Sequence, residues 1–244
     1  MKPVLRWIGL FALSLLVLEV FFVGRIALLA RLDPESTTFE RSEIWRLAQE
    51  RGTALRWRQQ WVPYAQISDH LKRAVIASED DSFAWHDGFD WDAIEKAWQR
   101  NQAAETRAAQ QVVRPGRTVK PPKIVGGSTI TQQLAKNLLL SGERTLLRKG
   151  QELVLTWLLE QLLDKRRILE IYLNHVEWGE GVFGAQAAAQ RYFHKPASQL
   201  TPSEAARLAV MLPRPKFFEK LPASPYLAER SEVIAGRLWR AQLP

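Results

Sequence analysis

The chain has 244 residues, 46% of them hydrophobic, with a formal net charge of +8; it is long and apolar enough for one substantial globular core, which excludes a disordered chain. It contains no cysteine, which excludes a disulfide framework, a thiolate nucleophile and a cysteine-ligated zinc site. The basic surplus suits a polyanion, whether nucleic acid, an anionic membrane surface or a pyrophosphate-bearing substrate, and does not choose among them.

Residues 7–23, WIGLFALSLLVLEVFFV, are apolar apart from Ser14 and Glu19, and the run continues through IALLA after Arg25. A bilayer span needs about 20 such residues, and no small-x-small cleavage site is evident, so the pattern predicts an uncleaved membrane anchor over residues 1–32. Lys2 and Arg6 precede it and Arg25 and Arg31 follow it, so flanking charge alone gives little orientation. Glu19 lies past the centre of the stretch, where its side chain can snorkel to the far interface. Residues 33–68 read as a juxtamembrane segment in which Trp45, Trp57 and Trp61 stand among arginines, suited to a membrane interface or to surface packing. A catalytic domain is expected over 69–244.

From His70, HLKRAVIAS has helical spacing and ends at Glu79, Asp80 and Asp81. WDAIEKAWQRNQAAETRAAQQ, 91–111, predicts a helix with Ile94 and Trp98 as its apolar stripe. RPGRTVKPPKIVGG breaks it. Arg100 to Lys123 holds six basic residues against one acidic, with three prolines, and predicts a basic loop over 107–123. Three helices are expected over 128–140, 144–164 and 165–175, the second strongly apolar through Leu153, Val154, Trp157, Leu158 and Leu162. GEGVFGAQAAAQRYF predicts a glycine-punctuated turn into another helix, and TPSEAARLAVMLPRP a helix opened by Ser/Pro and stopped by prolines. No β-rich stretch or internal repeat stands out. The expected fold is mainly α.

Three constellations carry chemistry. In ASEDDSFAWHDGFDW, residues 77–91, adjacent carboxylates end an apolar helix, where like charge and desolvation raise a carboxyl pKa toward that of a general base or acid. They also sit at the unfavourable end of the helix dipole, which favours a functional reading over a solvated helix end. His86 is one of four histidines, none spaced i, i+4, and reads as a structural histidine rather than a metal ligand. In GGSTITQQLAKNLLL, residues 126–140, Thr129 and Gln132 have capping-box spacing. Ser128, Thr131, Gln133, Lys136 and Asn137 add a polar wall, while the three leucines bury the opposite side. In ERTLLRKGQELVLTWLLE, residues 143–160, Glu152 stands four residues after Arg148, which alone is an ion-paired helix start. Lys136, Arg144, Arg148 and Lys149 are nonetheless numerous enough to hold a diphosphate, with the Ser/Thr/Gln face supplying hydrogen bonds.

These segments resemble a known family. EDDSFAWHDGFDW resembles the first motif of peptidoglycan glycosyltransferases, the transglycosylase domain of class A penicillin-binding proteins; GGSTITQQLAKN resembles the second and RKGQE the third. KRRILEIYLNHVEWGEGVFGAQAAAQRYFHK, 165–195, resembles the fourth and fifth. The motifs run in family order over about 65–215, and no S-x-x-K, S-x-N or K-T-G occurs, so the resemblance implies a monofunctional enzyme. It departs from the pattern in the long basic segment before Gly126 and in His194, where the family more often has glycine.

The resemblance implies a lysozyme-like, mainly α, two-lobed domain with one N-terminal transmembrane helix, held in the bacterial cytoplasmic membrane with its catalytic part outside. The implied reaction polymerises lipid II by inverting transfer to the 4-hydroxyl of an acceptor N-acetylglucosamine. Glu79 matches the base, and Glu152 a second carboxylate near the donor phosphates. Lys136 and Arg144 match the groups that neutralise the departing pyrophosphate, and Asp80, Ser128, Thr129, Gln132, Gln133, Asn137 and Arg148 the substrate-binding set. A divalent cation, Mg or Mn, is the one helper implied, with no organic cofactor. Lipid II, the growing glycan strand and the membrane are the expected partners, alongside other cell-wall synthases or division proteins, and no nucleic acid. Two alternatives stay open: a membrane-anchored lysozyme-like lytic enzyme, which needs no cationic diphosphate pocket, and a non-enzymatic adaptor gripping anionic lipid or nucleic acid, which leaves Glu79 and Asp80 idle.

Overall fold

The apolar N-terminal run forms one continuous helix, α1 (Lys2–Leu29), in the computed structural model, which describes residues 2–51, 57–109, 126–140, 142–143 and 145–244. It is long and apolar enough to cross a membrane, and most of its side chains up to Val23 are exposed. Its last turns are different. Phe22, Ile26 and Leu29 are buried, because this end packs against α6 (Leu146–Leu162). Arg167 then caps the end: its Nε donates to Leu29 O at 2.8 Å and its Nη2 to Leu32 O at 2.9 Å. A cation on the last carbonyls satisfies orphan acceptors and opposes the helix dipole.

The juxtamembrane segment, for which the sequence suggested no secondary structure, contains a helix, α2 (Thr38–Arg51). It has no apolar stripe that spacing could reveal. It is started instead by a reciprocal pair in which Thr37 N donates to Glu40 Oε2 at 2.6 Å and Glu40 N to Thr37 Oγ1 at 3.1 Å. Leu47 is buried on its inner side.

The mainly α chain also carries a small sheet. Strand β1 (Arg58–Gln59) runs parallel to β3 (Val182–Phe183), which pairs antiparallel with β2 (Glu177–Gly179), in the order β1-β3-β2. Arg58 faces Val182 and Glu177 faces Phe183, with a bulge between Glu177 and Gly179. Gly184, immediately after β3, has φ +81°, and a Cβ there would approach Asn174 O to 2.5 Å, so this turn requires glycine.

At the centre lies α3 (Asp69–Glu79), capped by Ser68, whose side chain accepts from His70 N. Leu71, Ala74, Val75 and Ile76 are fully buried against α9 (Pro202–Met211) and α11 (Pro225–Ala235); each large aliphatic contributes about 1.5–3 kcal/mol. The expected helix over 91–111 is α4 (Trp91–Ala109), although residues 110–125, with most of the basic loop, lie outside the described residues. Helix α5 (Ile130–Leu139) packs against α7 (Lys165–His175) and bonds Asp80 and Glu79 through Ile130 N and Gln133; α8 (Ala185–Phe193) and the short α10 (Pro215–Lys220) follow along the chain. The end of α3 is thereby brought beside the start of α5 and the middle of α7.

Candidate active site

Glu79 is the last residue of α3, where the chain leaves the buried helix. Part of its surface stays open, but protein crowds most of its sides, and this desolvation raises its carboxyl above the ordinary value. A hydrogen bond from Gln133 Nε2 at 3.0 Å opposes the rise, and the neighbouring Asp80 charge adds to it.

Asp80 serves a different purpose. It is buried, one oxygen accepting from Ile130 N at 2.9 Å and the other lying 2.8 Å from His86 Nε2. The His86 ring accepts from Gly88 N through Nδ1 at 3.1 Å, so Nε2 carries the proton toward Asp80. Asp80 therefore bonds the first turn of α5 to the end of α3, and His86 is a structural histidine.

The dense polar pattern of 126–137 divides between two tasks. Thr129 and Gln132 form the expected capping box, with Thr129 N bonded to Gln132 Oε1 at 3.1 Å and Gln132 N to Thr129 Oγ1 at 3.2 Å. Both are buried, and Thr129 Oγ1 also donates to Gly88 O at 2.7 Å. Thr131 donates to Glu160 at 2.6 Å. Asp80 and Thr129, expected to bind substrate, thus have their side-chain oxygens bonded inside the fold, as does Gln132 its amide oxygen. Gln133, Lys136 and Asn137, spaced i, i+3, i+4, line a cleft on one face of α5. The opposite side carries Leu134 and Leu138 into the core.

From α6, Arg148 reaches the same cleft. It lies 2.9 Å from Glu152 Oε2, while Lys149 Nζ pairs with Glu152 Oε1. Glu152 is buried and Arg148 only slightly open, whereas the Lys149 side chain is 45% exposed, so the Arg148–Glu152 pair is largely desolvated and Lys149 completes it from the solvent side. The cavity holds about 480 Å³ and continues past these residues to Thr38, Phe39 and Ser42 of α2 and Glu177 of β2. Ser128 is exposed just before α5. Arg144 lies outside the described residues.

A sequence profile of the family described as transglycosylase matches residues 47–238. The chain belongs to the transglycosylase family. A biosynthetic peptidoglycan transglycosylase of Burkholderia thailandensis is 52% identical over 247 residues, which cover 100% of this chain and 90% of the relative. One of the same description from Paraburkholderia xenovorans is 51% identical over 243 residues, covering 98% and 94%. The transglycosylase domain is lysozyme-like and mainly α, in keeping with the helices around the α3 core.

Two polar residues of this transglycosylase, one buried behind the cleft and one lining it, were not picked out by sequence reasoning. Tyr172 of α7 is buried and its hydroxyl donates to Gln133 Oε1 at 3.0 Å; it stands inside the quoted IYLN, where its 3.6-residue spacing reads as core. Glu177 is buried at the cleft's far wall, 3.2 Å from Lys216 Nζ. Burial pushes its carboxyl up to about 7 despite the opposing pull of Lys216, and Glu43 adds to the rise.

The described residues do not fit a divalent cation. No group of three or more His, Asp or Glu side chains among them converges on one point, and both oxygens of Glu152 are occupied by cationic side chains.

Proposed function

We propose that the chain is a biosynthetic peptidoglycan glycosyltransferase that polymerises lipid II. The acceptor's N-acetylglucosamine O4 attacks the anomeric carbon of the lipid-pyrophosphate-linked muramyl donor. A new C1–O4 bond forms as the C1–O bond to pyrophosphate breaks, with inversion. Glu79 takes the hydroxyl proton. Its desolvated carboxylate, bonded at 3.0 Å to Gln133, which lines the cleft together with Lys136 and Arg148, is the observation that carries this reading, because a general base needs an elevated pKa and access to the reacting hydroxyl. Lys136, Arg144 and Arg148 neutralise the leaving pyrophosphate, and Glu152 holds Arg148 and Lys149 in place. Asn137 and Ser128 contribute hydrogen bonds to sugar and phosphate, while the Gln133 amide is bonded to Glu79 and Tyr172.

The substrate's lipid tail sets the location. α1 crosses the bacterial inner membrane once and the catalytic part lies on its periplasmic face. On α6, beside the end of α1, Leu146, Leu147, Leu153, Val154 and Trp157 are exposed, a face suited to the lipid interface. The glycan strand is the product, and other cell-wall synthases or division proteins are the class of partner that such a product requires.

The test is polymerisation of labelled lipid II by the purified full-length chain, compared with solubilisation of isolated sacculi. Glycan product that disappears in Glu79→Gln supports the reading; release of sacculus fragments without polymerisation overturns it in favour of a lytic enzyme.

A further inference from the structure

The Gln133 amide lies between two groups of opposite demand. Its Nε2 donates to Glu79 Oε2 at 3.0 Å and its Oε1 accepts from the Tyr172 hydroxyl at 3.0 Å. We propose that Tyr172 is a positioning residue that decides which end of the Gln133 amide faces Glu79, and so sets the basicity of that carboxylate. The proposal rests on the reading of Glu79 as the base.

An ionised carboxylate only accepts, so it requires Nε2 to face it; Oε1 then turns toward Tyr172, which must donate. A protonated Glu79 would be served by the reversed amide, its O–H donating to Oε1 while Nε2 donates to the phenol oxygen. In that arrangement the phenolic proton loses the acceptor the structure gives it. Tyr172 is almost wholly buried, and an unmet buried donor is costly. The phenol therefore biases the amide toward the orientation that stabilises ionised Glu79. Burial, helped by the charges of Glu79 and Asp80, holds the Tyr172 hydroxyl well above its ordinary pKa, so it keeps the proton it must donate.

The other groups near Glu79 are fixed in their own bonds. Asp80, at the end of the same helix, is tied to His86 and Ile130 N. Farther along the cavity that Gln133 lines stand Lys136 of α5 and Arg148 of α6, the latter paired with Glu152. Neither Asp80 nor Arg148 takes the place of the Gln133 donor. The amide is the neutral, reversible contact to the carboxylate, and among the described residues Tyr172 is its hydrogen-bonded partner on the far side.

The experiment measures kcat/KM against pH for lipid II polymerisation by the full-length chain and its Tyr172→Phe, Gln133→Met, doubly substituted and Glu79→Gln variants. Tyr172→Phe is expected to move the acid limb upward by about one pH unit, a tenfold change in the ionisation equilibrium. The rate above the limb should stay within a few-fold of the parent. Gln133→Met should shift the limb in the same direction, and adding Tyr172→Phe to it should shift it no further, because the phenol acts through the amide. Replacing Tyr172 by 3-fluorotyrosine, a more acidic donor of nearly the same shape, should move the limb down and keeps the test available if the phenylalanine variant folds poorly. An unmoved limb in both Tyr172 replacements, with Glu79→Gln inactive, overturns the proposal and leaves the base reading intact. A Glu79→Gln protein that retains turnover and the parent's acid limb overturns the base reading and the proposal with it.

Discussion

His175 Nδ1 lies 2.9 Å from Glu40 Oε1, and both side chains are buried, so a single polar contact joins the juxtamembrane helix α2 to the end of α7 across 135 positions of sequence. Gln59 from β1 reaches the same ring nitrogen at 3.0 Å, and Trp61 packs against the ring with centroids 5.7 Å apart. Because α2 also walls the cleft through Thr38, Phe39 and Ser42, this contact helps to fix the shape of the candidate site.

Glu40→Ala should therefore destabilise the protein by about 1–3 kcal/mol, since it removes the buried carboxylate that contacts the His175 ring and the reciprocal cap at Thr37. Chemical denaturation in detergent checks this. A change within 0.5 kcal/mol, the usual scatter of a surface substitution, would show that the pair is dispensable.

Glu79→Gln and Asp80→Asn, one residue apart, should fail in opposite ways. The first removes a desolvated charge whose raised pKa already marks its ionised form as unfavourable in the fold, so stability should hold or rise slightly while turnover falls by about 10²–10⁴-fold. The second weakens the acceptor for Ile130 N and His86 and should lower stability by about 1–3 kcal/mol. Paired unfolding and polymerisation assays separate the two; equal stability losses would contradict the division of labour.

Lys136→Ala should cost turnover by roughly 10²-fold with little change in stability, because Lys136 is exposed on the cleft face of α5. Arg148→Ala should cost both, because among the described residues it leaves buried Glu152 with only the half-exposed Lys149 as an ion-pair partner. In a double-mutant cycle, Glu152→Gln should recover part of the stability that Arg148→Ala loses. Full additivity would argue that the two side chains are independent.

Glu177 supplies a pH dependence. Its folded value of about 7 exceeds the ordinary 4.5, so the folded chain holds this proton more tightly than the unfolded chain. Its contribution is complete below about pH 4.5, falls as pH rises toward 7, and levels off above it. Glu177→Gln should consequently stabilise the protein relative to the parent at pH 8 by up to ~3 kcal/mol, with a smaller difference at pH 5. Denaturation midpoints at both pH values provide the check, and a pH-independent difference would refute the assignment.

His194 ends α8 in the left-handed region, with φ +57° and ψ +32°. A Cβ there costs roughly 1–2 kcal/mol, partly offset by the extra freedom glycine has when unfolded. His194→Gly should raise stability by about 0.5–1 kcal/mol without altering turnover, which a thermal scan and the polymerisation assay would show. A lower melting temperature would mean that the imidazole has contacts worth more than the strain.

What was legible in the sequence was local. The Thr129–Gln132 capping box spans three residues, the boundaries of α7 at 165 and 175 follow from helical spacing, and the length of α1 follows from an unbroken apolar run. The crowding of Glu79 beside Asp80 was equally readable, since adjacent charges at the end of an apolar helix are neighbours in any fold. α2 was not, because its packing rests on Glu40 meeting His175 and not on an apolar stripe. Nor were the strands, which at two or three residues are too short to show an alternating pattern. The sequence also could not separate the residues of the second motif that face the cleft from those spent inside the fold. That depends on partners far along the chain: Thr129 on Gly88, 41 residues away, Thr131 on Glu160, 29 away, and Gln133 on Tyr172, 39 away. Local hydrogen bonds and periodicity depend on backbone geometry that every helix shares, whereas the environment of a polar side chain is set by which distant elements pack against it, and for Tyr172 and Glu177 only the tertiary structure decided that.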